Sequence, residues 1–123
     1  MAKTKRNAKR ERRIEMEILV ETYSAEDEAM AWYNYLEEKL HFPFRATCMV
    51  ERVISPLRKG GRVEVVGIAP NKECWHEMFV EIPWDGRRLG VPLAQLKPVV
   101  RTDKNTKEAI ADWHYWVDRE YTL

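Results

Sequence analysis

The sequence predicts an α+β fold in which an antiparallel sheet lies between an N-terminal and a C-terminal helix. Apolar residues recur at helical spacing near both ends of the chain, whereas its middle alternates apolar and polar residues as strands do. The middle region also contains a Gly-Gly pair and an Asp-Gly pair, both of which are typical of turns between strands. With 123 residues, 45% of them hydrophobic, the chain can bury one core. We therefore expect a single α+β domain over residues 14–123.

The first thirteen residues differ in composition from the rest. Seven are lysine or arginine and one is acidic, so the segment buries too little apolar surface to offset the entropy of ordering it. Residues 1–13 are predicted to form a disordered basic tail. Three environments for this tail remain open. It could be surrounded by solvent alone, it could contact a nucleic acid or acidic protein weakly through residues 3–13, or it could lie against the acidic segment that follows.

Residues 14–40 are predicted to be helical. Residues 14–22 fit both a strand and a helix, and we prefer helix. From Ser24 the helical pattern is stronger, because Ser24 suits an N-cap and Asp27 follows it as a capping-box acid. Apolar residues then recur at helical spacing: Ala29, Trp32, Tyr33, Leu36 and Leu40. The helix is expected to end before Phe42-Pro43.

Residues 44–100 are predicted to form an SH3-like sheet, either a small β-barrel or a curled antiparallel sheet. The predicted strands are 44–53, 62–68, 78–84 and 89–93. Gly60-Gly61 indicates a turn, and Asp85-Gly86 suits the tight turn of a hairpin. Closure into a barrel would remove most exposed strand edges.

The last predicted element is a helix over residues 105–121. Asn105 suits its N-cap, and Glu108 stands three residues later. Its apolar face is expected to carry Ile110, Trp113, Val117 and Tyr121, with Trp116 nearby. Two aromatic-faced helices thus flank the sheet, and packing them on each other or over the sheet would bury most of their rings.

Histidine and cysteine residues do not stand at spacings that indicate a metal site or a catalytic centre. His41, His76 and His114 lie outside any HExxH or Cys/His motif, and Cys48 and Cys74 form no CxxC pair. The sequence also lacks a nucleophile elbow and a glycine-rich phosphate loop. We therefore expect no enzyme. No apolar run approaches the roughly 20 residues of a membrane span, and the cysteine usage favours a cytoplasmic setting.

Acidic residues are concentrated directly after the basic start. Residues 14–38 carry eight carboxylates and no lysine or arginine. Negative charges concentrated on one segment repel each other, which costs folding free energy. Such a segment is therefore expected to meet a counter-charge, such as a metal cation, a basic partner or the basic tail. The candidate ligands are Glu26, Asp27, Glu28, Glu37 and Glu38.

Helical geometry divides these candidate ligands into two groups. Helical rise separates the first three from the last two by roughly 15 Å. Calcium takes six to eight oxygen ligands, so a site needs carboxylates or carbonyls from more than one element. Three interpretations therefore remain open: two weak calcium sites, one site beside a solvated acidic face, or a solvated acidic face alone.

Four long segments resemble the CcbP-type calcium-binding proteins, a family first described in cyanobacteria. They are AMAWYNYLEEKLHFPF, SPLRKGGRVEVVGIAP, MFVEIPWDGRRLGVPLAQLKP and AIADWHYW, and the resemblance extends over residues 13–121. It implies a small calcium-binding protein without EF-hands that buffers or sequesters Ca²⁺ through clustered surface carboxylates. Basic loops at residues 58–59 and 87–88 would weaken the attraction for a dication. The alternative is an SH3-like interaction module whose basic tail binds nucleic acid or an acidic protein.

Overall fold

The α+β prediction is confirmed by the computed structural model, which describes residues 5–119 and contains three α-helices and two three-stranded sheets in that range. The helices are α1 (Ala8–Arg13), α2 (Ala25–Lys39) and α3 (Lys104–Asp118), and a π-helical turn, Ile14–Ile18, continues α1. The strands are β1 (Phe44–Cys48), β2 (Arg62–Val65), β3 (Gly67–Ile68), β4 (Phe79–Trp84), β5 (Arg87–Pro92) and β6 (Leu96–Pro98).

The strands form two antiparallel sheets, in the orders β2-β1-β6 and β3-β4-β5. Val66 joins β2 to β3, and its backbone N–H donates to the Glu81 carbonyl at 2.9 Å. β5 and β6 do not pair with each other, because a 3-10 turn, Leu93–Gln95, separates them. Pro92 and Pro98, which have no N–H to donate, end these two strands. Within residues 5–119 the sheets therefore do not close, and the SH3-like barrel is not confirmed.

The two long helices pack on each other through their tryptophans. The Trp32 ring of α2 lies 5.1 Å from that of Trp113 and 5.8 Å from that of Trp116, measured between centroids. These contacts agree with the predicted aromatic faces; Tyr121 lies outside the described residues. Among the described residues, no helix has the length and apolar character needed to cross a bilayer.

Side-chain caps fix where these helices begin. The Asp27 N–H donates to Ser24 Oγ at 3.1 Å, which confirms Ser24 as the N-cap of α2. The prediction of Asn105 as the N-cap of α3 is wrong, since Asp103 occupies that position. Its two carboxylate oxygens accept from the N–H and the hydroxyl of Thr106, at 2.9 and 2.7 Å. Asp103 satisfies two donors at once and starts the helix earlier.

Residues 8–13, predicted as part of a disordered tail, form helix α1 instead. The cause is Asp112 of α3, whose carboxylate is completely buried. Arg10 Nη1 donates to Asp112 Oδ1 at 2.5 Å, and Arg13 Nη1 donates to Oδ2 at 2.8 Å. Composition alone predicted disorder because these ion pairs, rather than apolar burial, hold the arginines in place. Residues 1–4 lie outside the described range.

Further contacts attach the start of the chain to the two long helices. The Tyr35 hydroxyl of α2 donates to Asp112 Oδ2 at 2.7 Å, and the Tyr115 hydroxyl of α3 donates to buried Glu11 at 2.5 Å. Burial and the hydrogen bond to Asp112 raise the pKa of Tyr35, so its hydroxyl keeps its proton. Ile14 and Ile18 are buried in the core. Arg10 and Arg13 are held by α3, which was not among the three surroundings predicted for the basic segment.

Replacing Arg13 with alanine should lower the free energy of unfolding by about 3 kcal/mol, because it leaves a buried carboxylate without one of its counter-charges. Urea denaturation measures the loss. Arg12→Ala is the matched control, since Arg12 is a neighbouring but exposed arginine; its effect should stay within about 0.5 kcal/mol. Equal stabilities for the two variants would contradict the assigned role of Asp112.

Candidate functional site

The acidic residues at the start of α2 do not converge on one point. Glu26 and Asp27 are exposed and Glu28 is half-buried, and successive helical residues point about 100° apart. Asp27 Oδ2 already accepts the Tyr23 N–H at 3.0 Å. The N-terminal end of a helix also carries partial positive charge, which repels a cation. The electrostatic field at this end of α2 therefore opposes the binding of a cation to these carboxylates.

Glu37 and Glu38 lie at the opposite end of α2, where the field has the other sign. Both are exposed, and the last turn of a helix presents free carbonyl oxygens and partial negative charge. Like the acids at the start of the helix, neither forms an ion pair with another described residue. Lys39 in the same turn offsets part of this negative charge, but the helix field favours a cation here rather than at the start of α2.

Tyr33 connects this end of α2 to the second sheet. Its hydroxyl donates to the Ala69 carbonyl at 2.9 Å, and Glu37 follows it by one helical turn. Burial raises the pKa of Tyr33, and the charges of Glu37, Cys74 and Glu81 raise it further. Glu37 of α2 and Glu81 of β4 therefore act on the same hydroxyl from two different elements.

A cavity of about 390 Å³ adjoins this position. Its lining residues are Ala69, Pro70, Glu73, Phe79, Glu81 and Gly90. Glu73 ends the 3-10 turn Asn71–Glu73, and Glu81 is half-buried on β4. We call Tyr33, Glu37, Glu73 and Glu81 the Tyr33 corner. Its three carboxylates belong to a helix, a 3-10 turn and a strand.

Sequence reasoning missed Glu73 and Glu81. Both lie far along the chain from the acidic segment, and neither belongs to a run of acids that could mark it. Their proximity to α2 depends on the hydrogen bond between Tyr33 and Ala69 and on the pairing of β3 with β4. No spacing rule within the sequence encodes those contacts.

Arg88 partly neutralises the Tyr33 corner. Its Nη1 lies 3.3 Å from Glu81 Oε1, across the hairpin of β4 and β5. The preceding residue, Arg87, is exposed and makes no ion pair with a described residue. A cation at the corner would compete with Arg88 for Glu81.

The donors at the Tyr33 corner fit calcium in kind, since carboxylate and carbonyl oxygens are the ligands that this ion takes. Within residues 5–119, however, no three His, Cys, Asp or Glu side chains lie close enough together to hold a metal ion. Binding would therefore draw the carboxylates closer or include carbonyl and water oxygens, both of which calcium sites accept.

The histidine and cysteine residues do not form a rival metal site in the described part of the chain. Cys48 and Cys74 are both buried free thiols. His114 Nε2 lies 3.3 Å from the Leu93 carbonyl, and burial lowers the pKa of His114. A neutral, hydrogen-bonded imidazole in this position has a structural role.

Comparisons with known proteins converge on one family. The model of a family described as calcium binding, Calci_bind_CcbP, matches residues 12–117. The crystal structure of Anabaena CcbP is 38% identical, with a TM-score of 0.85 and complete coverage of both chains. A calcium-binding protein solved in its calcium-binding form is 37% identical, with a TM-score of 0.84 and the same coverage. No curated protein matches the chain.

Proposed function

Because the chain belongs to the CcbP calcium-binding family, we propose that it binds Ca²⁺ without catalysis and buffers or sequesters the ion. The match of the family model over residues 12–117 carries this proposal. Carboxylates on α2 that have no ion-pair partner among the described residues support it, since they offer negative charge that residues 5–119 do not neutralise. The site would not be an EF-hand, because Asp85-Gly86 lacks the flanking acids and terminal glutamate of that loop.

We place the principal site at the Tyr33 corner, with Glu37, Glu73 and Glu81 as ligands. Three structural elements contribute oxygen ligands there, which is the donor type that calcium takes, and the C-terminal end of α2 adds a favourable field. Glu38 stands next to Glu37 and would strengthen the field or supply a further oxygen. The proposal thus keeps two of the predicted ligands and adds two from the sheet side.

Glu26, Asp27 and Glu28 are proposed as a second, weaker location. They lie roughly 15 Å from the other end of α2, their side chains diverge, and the positive end of the helix opposes a cation there. Because these side chains are largely exposed, binding at this location should weaken as the salt concentration rises.

A cytoplasmic location is proposed as well. Both cysteines, Cys48 and Cys74, are free thiols in the structure, which suits a reducing compartment. Calcium binding by a buffering protein in that compartment would require neither a partner protein nor a membrane.

Replacing Glu37 and Glu81 together by glutamine should weaken calcium binding by at least about tenfold, because even residues that only support metal ligands contribute that much. Isothermal titration calorimetry with the full chain measures the change. Glutamine keeps the shape of each side chain and removes only its charge.

Glu15→Gln combined with Glu64→Gln is the matched control, since it removes the same two charges from exposed glutamates outside the Tyr33 corner. Its calcium affinity should remain close to that of the parent chain. An equal loss in this control would show a general charge effect and refute the assigned site. Absence of heat or spectral change at millimolar calcium in the parent chain would refute calcium binding itself.

Arg88→Gln should strengthen calcium binding several-fold, because it removes the cation that pairs with Glu81. Arg87→Gln has the same change in net charge one residue away but touches no described carboxylate, so it should raise the affinity less. Calorimetry under identical salt conditions compares the two. Equal affinities for the two variants would mean that Glu81 is not a ligand.

A further inference from the structure

The outer face of the sheet β2-β1-β6 carries a group of exposed basic residues. Arg45 lies on β1, Arg62 on β2 and Lys97 on β6, and Arg101 follows the last strand. We call these four residues the basic face. None of the four forms an ion pair or a side-chain hydrogen bond with another residue in the described range. Their charges are therefore available to an external anion.

The strand register spreads these charges across the sheet. Thr47 of β1 is opposite Arg62 on one side and Lys97 on the other. Neighbouring strands are about 4.8 Å apart, so these two basic residues are separated by about 10 Å. Arg45 stands two residues before Thr47 and faces the same side of the sheet. A single small anion could not contact all of these positions at once.

A cavity of about 650 Å³ lies between three of these cations. Its lining includes Phe44, Arg45, Arg62, Glu64, Val99, Arg101 and Asp103. The volume is in the range of ligand pockets. Arginine binds phosphate through two parallel hydrogen bonds, and the apolar residues offer a surface to a sugar or base. This combination of groups suits a nucleotide unit.

Two acidic residues in the cavity reduce its positive charge only in part. Asp103 already accepts two hydrogen bonds from Thr106, and His41 Nδ1 lies 3.1 Å from its Oδ2. Glu64 is opposite Arg45 in the strand register without forming an ion pair with it. With Lys97 included, four cations stand against two carboxylates, Glu64 and Asp103, which leaves this surface with a net charge of +2.

We infer that the basic face binds single-stranded nucleic acid through its phosphate backbone. Cations in the cavity contact one phosphate, and Lys97 reaches a neighbouring one. Phe44 is buried and the other aromatic side chains lie elsewhere than in the cavity lining. Binding is therefore independent of base sequence, since stacking contributes little and phosphate contacts carry no sequence information. This surface is distinct from the basic N-terminal segment, whose Arg10 and Arg13 are held by Asp112.

Fluorescence anisotropy with a labelled single-stranded oligonucleotide of mixed sequence tests the inference on the full chain. The parent protein should bind at about 50 mM salt and weaken steeply towards 200 mM. Combining Arg45→Ala, Arg62→Ala and Arg101→Ala should lower the affinity at least about tenfold. It should also reduce the slope of log K against log salt by about 0.7, because the three arginines share one phosphate and each neutralised phosphate contributes about 0.7 on single strands.

The matched control combines Lys5→Ala, Lys9→Ala and Arg87→Ala, which removes the same net charge from exposed positions elsewhere. Its affinity and salt slope should stay near those of the parent. Equal losses in both triple variants, or no binding at low salt, would overturn the inference. A polyglutamate peptide that competes as well as unlabelled oligonucleotide would also overturn it, in favour of an acidic protein partner. Thermal unfolding curves verify that both variants are folded.

Discussion

The buried carboxylate of Asp112 is the constraint on which the arrangement of charge in this protein depends. A buried carboxylate requires counter-charges and hydrogen-bond donors, and Asp112 obtains them from Arg10, Arg13 and Tyr35. These contacts join the first helix to both long helices. They also raise the pKa of Arg13, whose strongest interaction is the hydrogen bond to Asp112. Arg10 and Arg13 are thereby committed to a structural role.

Because Arg10 and Arg13 bind Asp112, these two arginines do not neutralise the acidic residues of α2. Arg13 does reach one exposed carboxylate, but that residue is Glu108 of α3, at 3.7 Å. The charge on α2 is therefore retained at the surface, where it costs folding free energy and attracts cations. A calcium-binding role explains why such a helix would be maintained. Binding energy from the ion would offset the repulsion between its carboxylates.

Local signals in the sequence predicted much of the fold. Ser24 and the apolar spacing after it specify α2, and Asp85-Gly86 specifies the hairpin, because both depend on neighbouring residues alone. Helix α1 could not be predicted this way, since Asp112, which orders it, lies about 100 residues later. Glu81, a ligand in the proposed site, was not predicted for the same reason. The sequence identified the acidic residues of α2 as candidate ligands, but it did not identify the further proposed ligands, Glu73 and Glu81, that lie outside this helix.

Calcium titration of the ¹⁵N-labelled full chain, followed by amide NMR shifts, tests the central claim most directly. The account predicts that the earliest shifts cluster at the end of α2 around Glu37, at Glu73 and on β4 around Glu81. Weaker and later shifts should occur near Glu26 at the start of α2. Shifts confined to the start of the helix, or shifts centred on α1 and Asp112, would contradict the account.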